Sequence, residues 1–121
     1  GAAHRRKKRI RALCRWHFQP GGGPGYCEAC PRPGDGETDC GQECPRRKYA
    51  LITDEEHQAW DVLQACLGQL RLAASGHVLG IDLGVALEIA KARSHDLAIV
   101  SELLQAAEAG LVEAMNSKDV T

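Results

Sequence analysis

Four of the six cysteines lie close together, in the spacing Cys-x2-Cys-x9-Cys-x3-Cys. Zinc accepts four thiolates in tetrahedral geometry, and ligands spaced about two to four residues apart can reach the same ion from one turn. Reducing compartments also favour metal binding over disulfides for paired cysteines. The spacing therefore predicts a structural zinc site with the ligands Cys27, Cys30, Cys40 and Cys44.

A second ligand set is open at this point. Cys14 and His17 have the same two-residue spacing, and they can combine with Cys27 and Cys30 into a site of three thiolates and one imidazole. The last two cysteines of the cluster would then be free. Reduced thiols, disulfides and an iron–sulfur cluster are further alternatives.

The segment that holds the cysteines has little else to hold it together. All five prolines and seven of the thirteen glycines lie between Pro20 and Pro45. Tyr26 and Ala29 are nearly the only other apolar residues there, too few to offset the entropy of ordering the chain. A bound metal would supply folding energy directly, on the order of 10 kcal/mol for zinc peptides. We therefore expect residues 26–49 to form an irregular, zinc-knot-like segment.

A basic run precedes this segment. Residues 4–15 contain seven Lys or Arg and no acid, and residues 19–25, QPGGGPG, indicate an irregular linker. Cations of this kind bind nucleic-acid phosphates by displacing counterions. The alternative is a solvated tail. A nucleic-acid-binding arm over residues 1–25 would use Arg5, Arg6, Lys7, Lys8, Arg9 and Arg11.

The two parts of the chain have opposite charge. Residues 1–49 carry eleven Lys or Arg and five Asp or Glu, whereas residues 50–121 carry four and eleven. This asymmetry fits a basic arm that binds an acidic partner. It fits equally well an arm that neutralises the acidic part, within the chain or between chains.

The acidic part has the periodicity of three amphipathic helices. Apolar residues recur at helical spacing over residues 54–74, 83–93 and 97–116. Thr53 and Glu56 form a capping box before the first helix. Asp82 can cap the second helix, and Ser94 or Asp96 the third. The predicted fold is therefore mainly α, with a small three-helix domain over residues 50–121.

No motif in the sequence indicates an enzyme, since no catalytic triad, carboxylate pair or nucleotide loop can be argued. No long apolar run follows the basic start, and no stretch approaches the roughly 20 apolar residues of a membrane span. We therefore expect a soluble, cytoplasmic protein that does not bind membranes.

Residues 51–96, LITDEEHQAWDVLQACLGQLRLAASGHVLGIDLGVALEIAKARSHD, resemble a small helical family encoded in tailed-bacteriophage tail gene clusters. The pattern comprises the acidic helix start at Thr53–Glu56, Trp60, Arg71, and the glycine-bounded turn from Gly76 through Gly80-Ile81-Asp82. The resemblance implies a phage or prophage protein without catalytic residues, in the host cytoplasm.

Two hypotheses follow. In the first, the chain assists tail assembly or joins a tail component, and the exposed faces of the first and third helices contact another phage protein or a second copy. In the second, it is a zinc-dependent nucleic-acid-binding module that uses the basic arm.

Overall fold

The structure is a computed structural model, and it describes residues 2–29 and 44–117. Within these ranges the chain forms six α-helices and one antiparallel pair of strands. The elements are α1 (Ala2–Phe18), α2 (Gly23–Glu28), α3 (Pro45–Lys48), α4 (Asp54–Ala65), a 3-10 turn (Leu67–Gln69), β1 (Leu70–Leu72), β2 (Val78–Ile81), α5 (Leu83–Ala92) and α6 (Leu97–Met115).

Helix α6 lies at the centre of the core. Helices α1, α4 and α5 and strand β2 all pack against it. Its buried positions recur at the three- and four-residue spacing of an amphipathic helix. Full burial of one leucine side chain stabilises the folded state by about 1.5–3 kcal/mol relative to an exposed leucine. The buried residues of the predicted stripe are Val100, Leu103, Leu104, Ala107 and Leu111.

Helix α1 lies along α6 and belongs to the same core. Ile10 and Cys14 of α1 are fully buried there. The two backbones approach closely at Gly110, where an added methyl group would overlap the carbonyl oxygen of Arg11. Glycine permits this approach because it has no side chain. The basic N-terminal run is thus a packed helix of the domain and not an appended arm.

The starts of the three C-terminal helices follow the sequence prediction. The Thr53 hydroxyl accepts a hydrogen bond from the Glu56 amide at 3.2 Å, and the Glu56 carboxylate accepts one from the Thr53 amide at 2.8 Å. The Asp82 carboxylate caps α5, and the Asp96 carboxylate caps α6. The predicted capping residues of all three helices are confirmed, with Asp96 as the cap of the third.

Strands β1 and β2 form a hairpin, in which Leu70 lies opposite Ile81. Side chains of α6 and its C-cap bind the other edge of β2. Asn116 accepts from the Val78 amide at 3.0 Å and donates to the Val78 carbonyl at 2.9 Å. The Glu108 carboxylate accepts from the Ile81 amide at 2.9 Å. These bonds attach the hairpin to the helical core.

The prediction of one helix over residues 54–74 is wrong beyond Ala65. The apolar spacing continues through Leu67 and Leu70, but these residues form the 3-10 turn and β1. Pairing with β2 provides the backbone hydrogen bonds that a longer helix would otherwise supply. Strand β2 lies between the first two predicted helices, and Gly76 lies in the hairpin turn with φ +93°.

The prediction of an irregular linker over residues 19–25 is also wrong in part, because α2 begins at Gly23. Pro24 is tolerated in the first turn of a helix, where its missing N–H needs no partner. Gly22 lies directly against the end of α1, and a methyl group there would overlap the carbonyl oxygen of Trp16. The glycines thus turn the chain tightly from α1 into α2.

The fold class is confirmed at the coarser level: the described chain is mainly α-helical, with three helices in its C-terminal part. The small sheet was not predicted. Most of the expected zinc-knot-like segment, residues 30–43, lies outside the described residues. None of the helices in the described ranges combines the length and apolar character needed to cross a membrane.

Candidate functional site

The aromatic residues of this chain gather at one place. The chain contains only five Trp, Tyr and Phe residues, and none of them belongs to the aliphatic, fully buried core cluster around α6. Two lie at the end of α1, where the Trp16 ring centroid is 6.0 Å from that of Tyr26 and 6.1 Å from that of Tyr49. Trp16 thereby connects α1 to α2 and to the residue after α3.

The remaining aromatic residues form a second group beside the first. His17 packs edge-on against Trp60, with ring centroids 4.9 Å apart, and against Phe18 at 4.7 Å. Phe18 and Trp60 are 6.1 Å apart. Such pairs contribute about 0.5–1.5 kcal/mol each beyond the area they bury. They hold the end of α1 against α4.

A cavity of about 620 Å³ opens beside these rings. This volume falls within the range of about 300–1,000 Å³ that is typical of ligand pockets. Its walls come from α1, α2, α3, α4 and the residues just before α4. The lining includes Trp16, His17, Cys27, Arg46, His57 and Trp60, together with Ala50 and Leu51.

The charge of the cavity wall is one-sided. Arg46 and two histidines line it, and none of the Asp or Glu residues that the structure describes does. Burial lowers the pKa of His17, so this ring is neutral near pH 7. Arg46 belongs to the basic helix α3, which also contains Arg47 and Lys48. All three side chains are exposed, and none forms an ion pair with any residue that the structure describes.

Most of the cations predicted to bind nucleic acid form ion pairs with acidic residues of the same chain. Lys7 lies 3.5 Å from Glu102 on α6, and Arg11 pairs with Glu113 on the same helix. Arg6 lies 3.9 Å from Glu55 and Arg9 pairs with Glu56, both on α4. Of the six predicted residues, Arg5 and Lys8 form no ion pair within the described ranges. The structure thus favours neutralisation of the acidic part within the chain.

The pair of Arg9 and Glu56 differs from the other ion pairs because Glu56 is fully buried. The Arg9 guanidinium donates to both carboxylate oxygens, at 2.8 and 3.0 Å. The amides of Ile52 and Thr53 and the Thr53 hydroxyl donate to the same carboxylate. Burial raises the pKa of Glu56, but these hydrogen bonds together lower it by more. The pKa of Glu56 therefore lies below the ordinary value. Glu56 therefore links α1 to the start of α4.

The structure describes two of the four predicted zinc ligands. Cys27 is exposed on α2, and Cys44 is half-buried immediately before α3, while Cys30 and Cys40 lie outside the described residues. The described ranges contain no group of three or more His, Cys, Asp or Glu arranged to hold a metal ion. The four-cysteine site therefore stays a prediction.

The alternative ligand set includes one buried cysteine. Cys14 is fully buried between α1 and α6, and burial raises the pKa of its thiol well above the ordinary value. Cysteine binds a metal ion as a thiolate, so the buried position of Cys14 between two helices favours a role in the core. His17 remains close to the cluster, since it lines the same cavity as Cys27. Cys66 is buried as well.

The aromatic cavity itself was missed by the sequence analysis. Its residues come from four separate elements, and no spacing in the chain connects them. One signal was present: all five aromatic residues fall between Trp16 and Trp60, and none lies in the two periodic helices after Trp60. Such a separation of aromatic from aliphatic residues indicates that the two groups have different roles.

Comparison with known proteins adds little about this site. Residues 72–119 match a protein family described as a family of unknown function (DUF7697). The match covers less than half of the chain and includes β2, α5 and α6. No curated protein and no solved structure matches the chain. Every described residue that lines the cavity lies before the matched range, so the family match concerns the core that supports the cavity.

Proposed function

We propose that this chain is a non-enzymatic protein-binding module that holds a segment of another protein in the aromatic cavity. One observation carries the proposal: both tryptophans of the chain line one cavity, and the other three of its five aromatic residues pack against Trp16 or Trp60, outside the fully buried cluster around α6. Aromatic residues are enriched where proteins bind one another, because they bury a large area at low entropic cost.

The cavity is a better candidate than the helix faces predicted from the sequence. On α6 the exposed residues are few and mainly polar beyond the first turn, because α1, α4, α5 and β2 pack around this helix. On α4 the exposed positions include the acidic residues Asp54 and Asp61. His57 and Trp60 of the same helix line the cavity. The binding surface that we propose therefore includes one side of α4 and none of α6.

The class of partner that we propose comes from the resemblance of residues 51–96 to the tail-gene-cluster family. That resemblance supports a phage tail or tail-assembly protein as the partner and the host cytoplasm as the site of action. A second copy of this chain is the alternative partner. The aromatic cavity would serve either, since both supply a protein segment.

A substitution that fills the cavity tests the proposal. Ala50 is exposed and lines the cavity, so Ala50→Trp would occupy the space without removing a buried contact. Ala74→Trp is the matched control, because Ala74 is exposed in the hairpin turn and does not line the cavity. Peptides would be selected from a random twelve-residue display library against the wild-type chain. Their Kd would then be measured with all three proteins.

We expect the selected peptides to bind the wild type and Ala74→Trp equally and to bind Ala50→Trp at least tenfold more weakly. Both tryptophans of the chain line the cavity, so binding should also shift the intrinsic fluorescence. Equal binding to Ala50→Trp, with thermal melting unchanged, would refute the cavity as the binding site. Failure to enrich any peptide would count against a protein-binding role.

We also propose a structural zinc ion on Cys27, Cys30, Cys40 and Cys44. Its support is the chemistry of four closely spaced thiolates in a segment with few apolar residues. Cys27 lines the cavity, and Cys44 lies two residues before Arg46, which lines it too. Native mass spectrometry before and after chelation should show one zinc ion lost per chain. A metal-free mass in both cases would refute this site.

Nucleic-acid binding is the competing function, and the ion pairs of α1 weaken it. Two of the six predicted cations, Arg5 and Lys8, are exposed and form no ion pair with described residues. Binding to DNA and RNA at increasing salt separates the two functions. A steep loss of affinity with salt that Arg5→Gln/Lys8→Gln abolishes would favour nucleic acid. No binding at moderate salt would favour the protein-binding function.

A further inference from the structure

We propose that the segment bound in the cavity is acidic, with carboxylates on either side of an apolar anchor. This inference rests on the proposed function and names the chemistry of its partner. It comes from the distribution of unpaired cations over the molecule. The apolar anchor would contact the rings, and the carboxylates would pair with the guanidinium and ammonium groups at the rim.

Three consecutive cations without an ion pair in the described chain lie on α3, next to the cavity. Five other cations form ion pairs, four on α1 and one between Arg93 and Asp61, and the remaining unpaired cations of the described chain are not consecutive. On α3, three consecutive cations form no ion pair within the described ranges, and Arg46 among them lines the cavity. This is the longest consecutive run of such cations in the described chain. An acidic segment is the partner that complements them.

The position of α3 beside the cavity is defined by aromatic contacts. The Lys48 ammonium lies 5.5 Å from the centroid of the Tyr49 ring, within the range of a cation–π interaction. Tyr49 in turn contacts Trp16, which lines the cavity. The cations of α3 are therefore held near the rings and do not depend on a partner for their placement.

A single-stranded nucleic acid would need a different arrangement. It binds to rings that are open to stacking and to cations that follow its backbone over several nucleotides. Here Trp16 is only 8 % exposed, and Trp60 packs edge-on against His17. The unpaired run occupies one four-residue helix. A peptide with one anchor and a few flanking carboxylates fits this geometry better.

Matched peptides test the inference. Two fluorescein-labelled peptides would share a central Leu-Phe-Leu anchor, flanked by glutamates in one and by lysines in the other. A labelled dodecathymidine would serve as the nucleic-acid probe. Fluorescence anisotropy would give the Kd of each probe for the full chain at low and high salt. We expect the glutamate peptide to bind at least tenfold more tightly than the lysine peptide and to lose this advantage at high salt.

Two triple variants assign the effect to α3. The test variant is Arg46→Gln/Arg47→Gln/Lys48→Gln. The control variant is Arg5→Gln/Lys8→Gln/Lys91→Gln, which removes the same charge at exposed cations that form no ion pair with described residues and do not line the cavity. The control should keep the preference for glutamate, whereas the α3 variant should bind both peptides within about twofold of each other.

The possible failures can be told apart. Equal binding of both peptides to the wild type, or an equal loss of preference in both triple variants, would overturn the acidic partner. If Ala50→Trp still abolishes binding in that case, the proposed function stands. Tighter binding of the oligonucleotide than of either peptide, lost in the α3 variant, would overturn the inference in favour of nucleic acid. Peptide binding that Ala50→Trp leaves intact would overturn both.

Discussion

Glu56 has two structural roles at once. Its carboxylate completes the capping box of α4 through Thr53, and it also accepts both donors of the Arg9 guanidinium from α1. The capping box is local and can be predicted from sequence spacing. The link to Arg9 spans 47 residues, and sequence spacing does not predict it. A buried carboxylate with so many donors is stable only while ionised, because each donor would lose its partner on protonation.

The pKa of Glu56 leads to a prediction about pH. A folded-state pKa below the ordinary value of 4.5 means that Glu56 stabilises the fold above that pH. This contribution is lost as the pH falls through the folded-state pKa. We therefore expect the free energy of unfolding, measured with urea, to fall on acidification toward pH 3 more steeply in the wild type than in Glu56→Gln.

At neutral pH, Glu56→Gln should cost about 1.5–3 kcal/mol, since it removes charged hydrogen bonds at a buried position and leaves the partly exposed Arg9 guanidinium without its counter-charge. Glu113→Gln is the matched control, because Glu113 pairs with Arg11 from the same helix at the surface. An exposed pair contributes about 0–1 kcal/mol. Similar losses in both variants would contradict the special role of the buried carboxylate.

The cysteines provide a second test at the level of residues. Burial protects Cys14 and Cys66 and raises the pKa of both thiols, whereas Cys27 is exposed. After a chelator has removed any bound metal from the native chain, iodoacetamide should modify Cys27 within minutes. Cys14 and Cys66 should stay unmodified until urea is added. Peptide mapping by mass spectrometry distinguishes the sites. Native labelling of Cys14 would show that α1 does not stay packed on α6.

Among the elements, the contact between α1 and α6 allows the sharpest test. Gly110→Ala would place a methyl group against the carbonyl oxygen of Arg11. Such overpacking costs about 1–3 kcal/mol or more. Gly84→Ala in α5 is the control, since Gly84 is exposed and an alanine fits there. Alanine at that site should raise stability by about 0.5–1 kcal/mol. The measurement is thermal and chemical unfolding followed by circular dichroism, and a neutral Gly110→Ala would contradict the close contact.

How far each element could be predicted depends on whether its cause is local. The starts of α4, α5 and α6 depend on capping side chains within a few residues, and the sequence predicts all three. The end of α4 depends on pairing between Leu70 and Ile81, which are separated by the hairpin turn. Helical spacing of leucines continues past that point, so a local pattern alone overestimates the helix.

The candidate site was harder to predict than the fold for the same reason. The cavity combines Trp16, Cys27, Arg46 and Trp60 from four elements, and only tertiary packing brings them together. The basic run was predicted as an arm because of its seven cations, although Ile10 and Cys14 within it are buried in the core. Its acidic partners on α4 and α6 lie at least 47 residues away in the chain.

At the scale of the whole molecule, α1 makes the N-terminal residues a requirement for folding. The sequence suggested that residues 50–121 form a domain of their own, but two fully buried members of the core come from α1. We expect a fragment of residues 50–121 to lose cooperative unfolding and to bind the dye ANS, because one side of α6 is uncovered. Addition of a peptide of residues 1–29 should restore cooperativity. A fragment that melts like the full chain would refute the single core.

The hydrogen bonds between β2 and the side chains of Asn116 and Glu108 also determine where a further strand can add to the sheet. An open strand edge is a template on which further strands can add, in complexes and in fibrils. The Asn116 amide imitates a neighbouring peptide group at Val78, and Glu108 occupies the amide of Ile81. One side of the sheet is therefore closed by side chains of its own molecule. Any strand contributed by a second chain has to be added along Leu70–Leu72.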